Sequence, residues 1–133
     1  MRRKEENFIM KFKKPNKKMF EYWIDENEEG EIIPIKMPYK YVIESFCDMA
    51  GASKAYNPKD WKPVLLWKYW VDKCEGKRIM HPLSTYLVKK LIWMLYIKGE
   101  YEFFDWYKQA KKYLKEHYEK GDMIELESEE VPL

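Results

Sequence analysis

Residues 82–99 read PLSTYLVKKLIWMLYIKG, and this stretch decides the fold. It opens at Pro82, which suits the first turn of a helix, and closes at Gly99, which suits a helix end. Between them, apolar residues three or four positions apart form one face, which consists of Leu83, Leu87, Leu91, Met94 and Leu95 and is widened by Ile92, Trp93 and Ile97. A helix with so broad an apolar face must be covered by others. The stretch therefore predicts the central helix of a helical domain.

Further helices are predicted on both sides of this central one. The same helical spacing predicts helices over residues 38 to about 51, 61–74 and 101–120, and a short helix over residues 17–25. Pro34 and Pro38 keep residues 32–36 extended, as an edge strand at most. Alternating strand patterns are nearly absent from the chain. We expect an all-α fold, a compact bundle of four main helices plus a short N-terminal helix, in a single domain over residues 1–133.

The composition of the chain points to a folded protein with a partly apolar surface. Its 133 residues suit one domain, and aromatic residues make up 17% of them. So many aromatic side chains exclude a disordered chain, because each buried ring removes about 150–250 Å² from water. Six tryptophans are too many to bury completely in so small a body, and half-exposed aromatic residues often anchor a partner. The candidates for such contacts are Trp23, Trp61, Trp67 and Trp106.

Charge is distributed unevenly although the net charge is only +2. Residues 1–15 form a basic N-terminal arm, and residues 122–133 form an acidic C-terminal tail. The basic segment offers contacts for nucleic acid or for an acidic protein, and the simpler interpretation is a solvated chain end. Its candidate binding residues, including two just beyond the arm, are Lys11, Lys13, Lys14, Lys17 and Lys18.

Cysteine usage and hydropathy indicate a cytoplasmic protein. Cys47 and Cys74 lie far apart without a paired motif, which favours reduced and packed thiols in a reducing compartment. The most apolar run, residues 91–97, is far shorter than the ~20 residues that cross a bilayer. We therefore expect no membrane partner.

One segment, FCDMAGASKAY at residues 46–56, collects chemically active side chains. Asp48 lies one turn after Glu44, so that the two carboxylates could share a metal or act as an acid and a base. Lys54 and Tyr56 could form a proton-transfer pair, but residues two apart on a helix do not face each other. For Glu44 the plainer interpretation is a solvated face on which it pairs with Lys40. Asp48 lies in an otherwise apolar segment, where an ionised side chain needs a hydrogen-bonding or charged partner. For Lys54 we expect a direct, structural contact with Asp48 or Glu44.

Few residues elsewhere could complete a catalytic site. His81 precedes Pro82 and suits a helix cap, and His117 lies in a lysine-rich amphipathic segment where it would titrate in solvent. Neither histidine has a second ligand at metal-binding spacing. No phosphate-binding glycine loop or nucleophile motif is present. We expect no metal and no cofactor.

Several short motifs follow one another in the chain: EYWID at 21–25, IKMP at 35–38 with Tyr41, CD at 47–48, ASK at 52–54 with Tyr56, and MHP at 80–82. In this order they resemble the motifs of an uncharacterised family of phage and Firmicute proteins, some of which carry the label "catalase". The resemblance covers residues 16 to 95. Longer members of the family carry histidine-rich segments similar to those of HD-type metal phosphohydrolases. Where those histidines would lie, this chain has Lys11-Phe12 and Lys18-Met19. The resemblance implies a helical scaffold that lacks the upstream histidine-rich segment and retains only Asp48 of a metal site.

Two functions follow as hypotheses. The first is a non-catalytic phage or mobile-element protein that binds and inhibits a host protein, for example a host-defence effector of the CRISPR type. The alternative is a residual metal-dependent phosphohydrolase or a nucleotide-binding module that uses Asp48, Glu44, Lys54 and Tyr56. Nucleic-acid binding through the basic arm and self-association through exposed aromatic residues stay open.

Overall fold

A computed structural model describes residues 17–123 of the chain. Most of these residues are helical, and a small antiparallel hairpin precedes the helices. The elements, in order, are a 3₁₀ turn at Phe20–Tyr22, strands β1 (Ile24–Glu26) and β2 (Ile32–Pro34), and helices α1 (Tyr39–Tyr56), α2 (Pro63–Tyr69), α3 (Pro82–Lys98) and α4 (Glu100–Lys120). A π-helical turn, Trp70–Cys74, continues α2.

Helix α3 lies at the centre, as its broad apolar face predicts. It contacts α1, α2 and α4, and its buried residues are Ser84, Leu87, Val88, Leu91, Ile92 and Leu95. They belong to one connected apolar core, to which α1 contributes Val42 and Phe46 and α4 contributes Phe103 and Leu114. Helices α1 and α4 are amphipathic: their polar faces point to solvent, and their apolar faces cover α3.

The expectation of an all-α fold is wrong in one region, the hairpin of β1 and β2. Residues 17–25 were expected to form a helix, but only a 3₁₀ turn forms there, and β1 begins at Ile24. Ile24 pairs with Pro34, and Glu26 pairs with Ile32. Both strands carry β-branched residues, which favour extended backbone, and a strand with one free edge tolerates a proline. The predicted extended segment at residues 32–36 thus includes a real strand.

The helix expected over residues 61–74 is shorter and less regular than predicted. Its α-helical part is Pro63–Tyr69, after which the Glu75 amide donates to the Trp70 carbonyl, five residues back, at 2.8 Å. This turn buries both Trp70 and Cys74. π-Helical turns inside helices are rare and occur often at functional sites. The four other segment boundaries at Pro38, Pro82, Gly99 and Gly121 lie within about two residues of the observed helix ends.

A buried hydrogen-bond network joins the end of the hairpin to α3 and α4. The Met37 amide donates to Ser84 Oγ at 3.0 Å, and the Tyr118 hydroxyl donates to the Met37 carbonyl. Ser84 Oγ and Tyr118 Oη are 2.7 Å apart. Each polar group is therefore satisfied inside the core. This network fixes the start of α1 and with it the direction in which the rest of α1 runs.

Candidate functional site

The four residues proposed for chemistry, Glu44, Asp48, Lys54 and Tyr56, all lie on α1 but do not come together. The Asp48 carboxylate pairs with Lys18 at 2.7 Å and its side chain is 53% exposed. Glu44 is exposed on the same face. The hydrogen bond and charge of Asp48, with a smaller effect of Glu44, raise the pKa of Lys18. Both carboxylates thus belong to a solvated face, which was predicted for Glu44, and Asp48 has a charged partner in Lys18, as expected. Lys40, the partner expected for Glu44, has its ammonium group 5.1 Å from the centre of the Tyr41 ring.

Lys54 does not make the contact that we expected with Asp48 or Glu44. Its ammonium group lies 3.0 Å from Glu100 Oε2, at the start of α4. At 3.6 residues per turn, positions six and ten residues away lie about 240° and 280° around the helix, so that Lys54 faces a different neighbour. The same ammonium lies 4.8 Å from the centre of the Trp61 ring. Tyr56 is 86% exposed, on the other flank of α1.

The histidines and cysteines also occupy separate positions. His81 caps α3 as predicted, because its Nδ1 accepts from the Leu83 amide at 3.1 Å. Burial, and then the charge of Lys36, lowers the pKa of His81. His117 is not surrounded by solvent: its side chain is 20% exposed, its Nδ1 lies 2.8 Å from Asp122 Oδ1, and its ring contacts Tyr113.

Of the two thiols, only one is packed as expected. Cys74 is buried and Cys47 is exposed, and both are free. The pKa of the Cys47 thiol is raised, chiefly because part of the side chain is buried and to a smaller degree by the negative charges of Asp48 and Glu44. Within residues 17–123 no group of three or more histidine, cysteine, aspartate or glutamate side chains is arranged to hold a metal ion.

The predicted lysine surface is only partly described. Lys11, Lys13 and Lys14, like the whole basic arm and residues 124–133 of the acidic tail, lie outside the described residues. Lys17 is exposed, and its carbonyl accepts from Trp23 Nε1 at 2.6 Å.

The four candidate tryptophans are half-buried, and each packs against the core. The Trp23 ring lies 5.7 Å from that of Tyr41, and the Trp106 ring lies 5.7 Å from that of Phe103. Trp67 contacts Trp93, with ring centres 4.9 Å apart, and also Tyr96. Trp61 donates from Nε1 to Ser53 Oγ at 2.8 Å. All four side chains therefore contribute to packing, and each keeps part of its surface in solvent.

Besides Tyr56, two strongly exposed aromatic side chains are ones that the sequence did not single out. Tyr101 is 91% exposed and Phe104 is 58% exposed, both in the first turns of α4. Ile97, in the last turn of α3, is 54% exposed. The only sequence signal for Phe104 is its position beside Phe103, since neighbouring residues of a helix cannot both face the core. We call Ile97, Tyr101 and Phe104 the α3–α4 apolar surface.

Phe104 lies at the rim of a cleft of about 230 Å³ between α1 and the α3–α4 junction. We call it the junction cleft. Its walls include the buried side chains of Phe46, Leu95 and Phe103. The ion pair of Lys54 with Glu100 and the ring of Trp61 complete its rim. The cleft is therefore apolar inside and carries one exposed ion pair at its edge.

A second cleft, of about 370 Å³, lies on the opposite flank of α1, between α1 and α2. We call it the α1–α2 cleft. Met49, Ala52 and Tyr56 line it from α1, and Leu65 and Tyr69 line it from α2. The two clefts are separated by a hydrogen bond from Trp61 to Ser53. Ser53 lines the α1–α2 cleft, and Trp61 lines the junction cleft. The C-terminal half of α1 thus has an apolar cleft on each side.

Comparison with known proteins adds no relative. No family model matches the chain, and neither a curated protein nor a solved structure matches it. The resemblance to the phage and Firmicute family therefore stays a prediction. Among the described helices, none combines the length and the apolar character that crossing a membrane requires.

Proposed function

We propose that this chain is a binding protein without turnover, which attaches to another protein through the junction cleft and the α3–α4 apolar surface. The observation that carries the proposal is the position of Phe104. This large apolar side chain is 58% exposed at the rim of a cleft whose walls are buried apolar residues. An exposed aromatic side chain beside an apolar depression is typical of the centre of a protein interface.

The size of the junction cleft favours a protein partner over a cofactor. Its volume of about 230 Å³ lies below the roughly 300–1,000 Å³ of most small-molecule sites. A cleft of this size suits one or two apolar side chains of a partner. Tyr101 lies three residues before Phe104, on the same side of α4, and would be covered by the same partner.

The ion pair at the edge of the cleft is compatible with this use. The Lys54 and Glu100 side chains are 47% and 38% exposed, and exposed pairs contribute only about 0.2–1 kcal/mol. A partner that inserts a side chain can therefore open the pair at little cost. Both charged groups would then be available to the polar rim of the interface.

The identity of the partner rests on the family resemblance. In the proposal the partner is a protein of the bacterial host cytoplasm, such as a defence effector of the CRISPR type, and binding inhibits it. The helices would form a compact bundle that holds the apolar surface rigid. A rigid surface supports inhibition because little conformational entropy is lost on binding.

The alternative function, a residual phosphohydrolase or nucleotide-binding module, needs its four residues around one pocket. In residues 17–123, Lys54 lines the junction cleft and Tyr56 lines the α1–α2 cleft. Asp48 lines a third depression, which it shares with Lys18. Residues in three separate depressions cannot act on one substrate at the same time. The geometry therefore favours the binding protein.

Site-specific photo-crosslinking tests the proposal. Benzoylphenylalanine would replace Phe104 in one sample and Lys112, an exposed residue of α4, in the control sample. Both full chains are irradiated in a bacterial lysate, and the adducts are identified by mass spectrometry. We expect one discrete protein adduct from position 104 and none from position 112. The identified protein is then purified, and its binding to wild type and to Phe104→Ala is measured by calorimetry.

The proposal predicts a one-to-one complex that Phe104→Ala weakens at least about fivefold, as expected for a central interface residue. An adduct of two copies of this chain would assign the surface to self-association and contradict the proposal. Equal labelling from positions 104 and 112, or capture of nucleic acid alone, would contradict it as well.

A further inference from the structure

The proposed function leaves the α1–α2 cleft unused. Its volume of about 370 Å³ exceeds that of the junction cleft. Its inner surface is apolar, with Met49 and Leu65 half-buried on opposite walls. Tyr56, 86% exposed, and Tyr69, 41% exposed, lie at its edge. A large apolar side chain would remove this surface from water.

The rim of the cleft on the α2 side is basic. Lys68 and Lys73 both line it and are both exposed. In the described part of the chain, neither ammonium group takes part in an ion pair. This distinguishes them from Lys54, Lys89 and Arg78, each of which pairs with a carboxylate.

The basic character extends over the surrounding segment. Residues 59–78 contain six basic side chains against three acidic ones. Of these nine charged residues, only Lys68, Lys73 and Asp72 line the cleft, so that its rim carries two positive charges and one negative charge. The rim therefore carries a net positive charge that the described residues do not neutralise.

We infer that the α1–α2 cleft binds an acidic segment of a partner protein, which inserts one large apolar side chain and places carboxylates against Lys68 and Lys73. The inference rests on the proposed protein-binding function and adds the chemistry of the partner. The apolar walls favour a peptide over a nucleic acid, since an inserted base would bury its polar edge against largely apolar walls, whereas an apolar side chain has no such groups. Exposed charge pairs at the rim would set specificity and would weaken with added salt.

Selection from a library of short random peptides tests the inference. The immobilised full chain is the target, and the enriched peptides are then synthesised with a fluorescent label. Their affinities are measured by fluorescence anisotropy against four variants. Lys68→Glu with Lys73→Glu reverses the rim charge, and Ala52→Trp fills the cleft from an exposed position. Lys111→Glu with Lys112→Glu makes the same charge change on an exposed part of α4, and Phe104→Ala alters the junction cleft.

The inference predicts peptides in which acidic residues flank one aromatic or large aliphatic residue. Charge reversal at Lys68 and Lys73 should weaken their binding about tenfold or more, since two attractive contacts become repulsive. Ala52→Trp should weaken it to a similar degree. The Lys111 and Lys112 double variant and Phe104→Ala should bind as wild type does. Circular dichroism of each variant establishes that the fold is retained.

The outcomes separate this inference from the proposed function. Peptides that lose binding to Phe104→Ala but not to the Lys68 and Lys73 variant would overturn the inference and leave the proposed function standing. A library without any enriched peptide would count against both. Enriched peptides without acidic residues would overturn the inference. So would a single-stranded oligonucleotide whose binding depends on Lys68 and Lys73 when no acidic peptide binds there.

Discussion

At the scale of single residues, the Tyr118 hydroxyl joins three parts of the chain. It donates to the Met37 carbonyl and lies 2.7 Å from Ser84 Oγ, in a site where all three residues are buried. Burial raises the pKa of Tyr118 to about 12. The hydroxyl therefore stays protonated around neutral pH and can donate its hydrogen bond to the Met37 carbonyl. Stability depends more on this one hydroxyl than on the exposed ion pairs.

Tyr118→Phe should lower the free energy of unfolding by about 1–3 kcal/mol, because it leaves the buried Met37 carbonyl without its donor and the proton of the Ser84 hydroxyl without an acceptor. Urea denaturation of both proteins measures the change. The matched control is Tyr101→Phe, at a position 91% exposed, which should change the free energy of unfolding by no more than about 0.5 kcal/mol. Equal effects of the two substitutions would contradict the role of the network.

His81 gives stability a dependence on pH. Burial, and then the charge of Lys36, lowers its pKa below the ordinary value of 6.5, so the unfolded chain takes up the proton more readily. Its contribution to stability is therefore complete above pH 6.5 and is lost as the pH falls from there toward the lowered pKa. His81→Asn keeps a capping oxygen at the start of α3 and removes the titration.

Urea denaturation at about pH 7.5 and about pH 5.5 measures this effect. Wild type should lose more stability between the two values than His81→Asn does. Both proteins retain every other titratable group, so the difference between their losses is due to His81. Parallel losses in the two proteins would show that His81 does not carry the pH dependence.

At the scale of elements, glycines act in opposite ways at two helix positions. Gly121 ends α4 with φ of 83°, and its amide donates to the His117 and Tyr118 carbonyls. Gly51 lies inside α1, and a Cβ added there would meet no other atom within 4 Å. Position 121 needs a left-handed backbone, which glycine adopts readily, whereas at position 51 a glycine only weakens the helix.

Gly121→Ala should therefore destabilise the protein by about 1–2 kcal/mol, which is the cost of a side chain in the left-handed region. Gly51→Ala should stabilise it by about 0.5–1 kcal/mol. Thermal denaturation measures both, and each variant serves as the control for the other. Shifts of the melting temperature in the same direction would contradict the assigned conformations.

Most elements could be predicted from local sequence, and the exceptions have physical reasons. Pro38, Pro82, Gly99 and Gly121 mark helix ends because proline and glycine restrict or free the backbone locally. The hairpin was missed because residues 20–25 carry apolar side chains at a spacing that suits a helix, while pairing with residues 32–34 overrides it. The π-helical turn depends on the burial of both Trp70 and Cys74, which local propensity does not report.

At the scale of the whole molecule, the candidate surface is created by contacts between distant segments. Lys54 pairs with Glu100, 46 positions away, and Trp61 reaches Ser53 across a helix boundary. Helical periodicity could predict that Glu44 and Asp48 face solvent, but not which cleft Lys54 or Tyr56 would line. The clefts on both flanks of α1 exist only because α2 and α4 pack at particular positions.

Two neighbouring phenylalanines separate folding from binding. Phe103 is 3% exposed and contacts Phe46, so Phe103→Ala should lower the free energy of unfolding by about 3–5 kcal/mol. Phe104 is 58% exposed, and Phe104→Ala should lower it by less than about 1 kcal/mol. Urea denaturation compares the two. Comparable losses would mean that Phe104 serves the core and not a partner.

The central claim is that this chain binds a protein through the surface beside the C-terminal half of α1. Amide hydrogen exchange of the full chain, with and without the purified protein that crosslinks to position 104, tests it most directly. The account predicts slower exchange in the C-terminal half of α1 and across the α3–α4 junction, with no change over residues 108–116 of α4. Protection confined to residues 108–116, or no protection in the presence of excess partner, would contradict it.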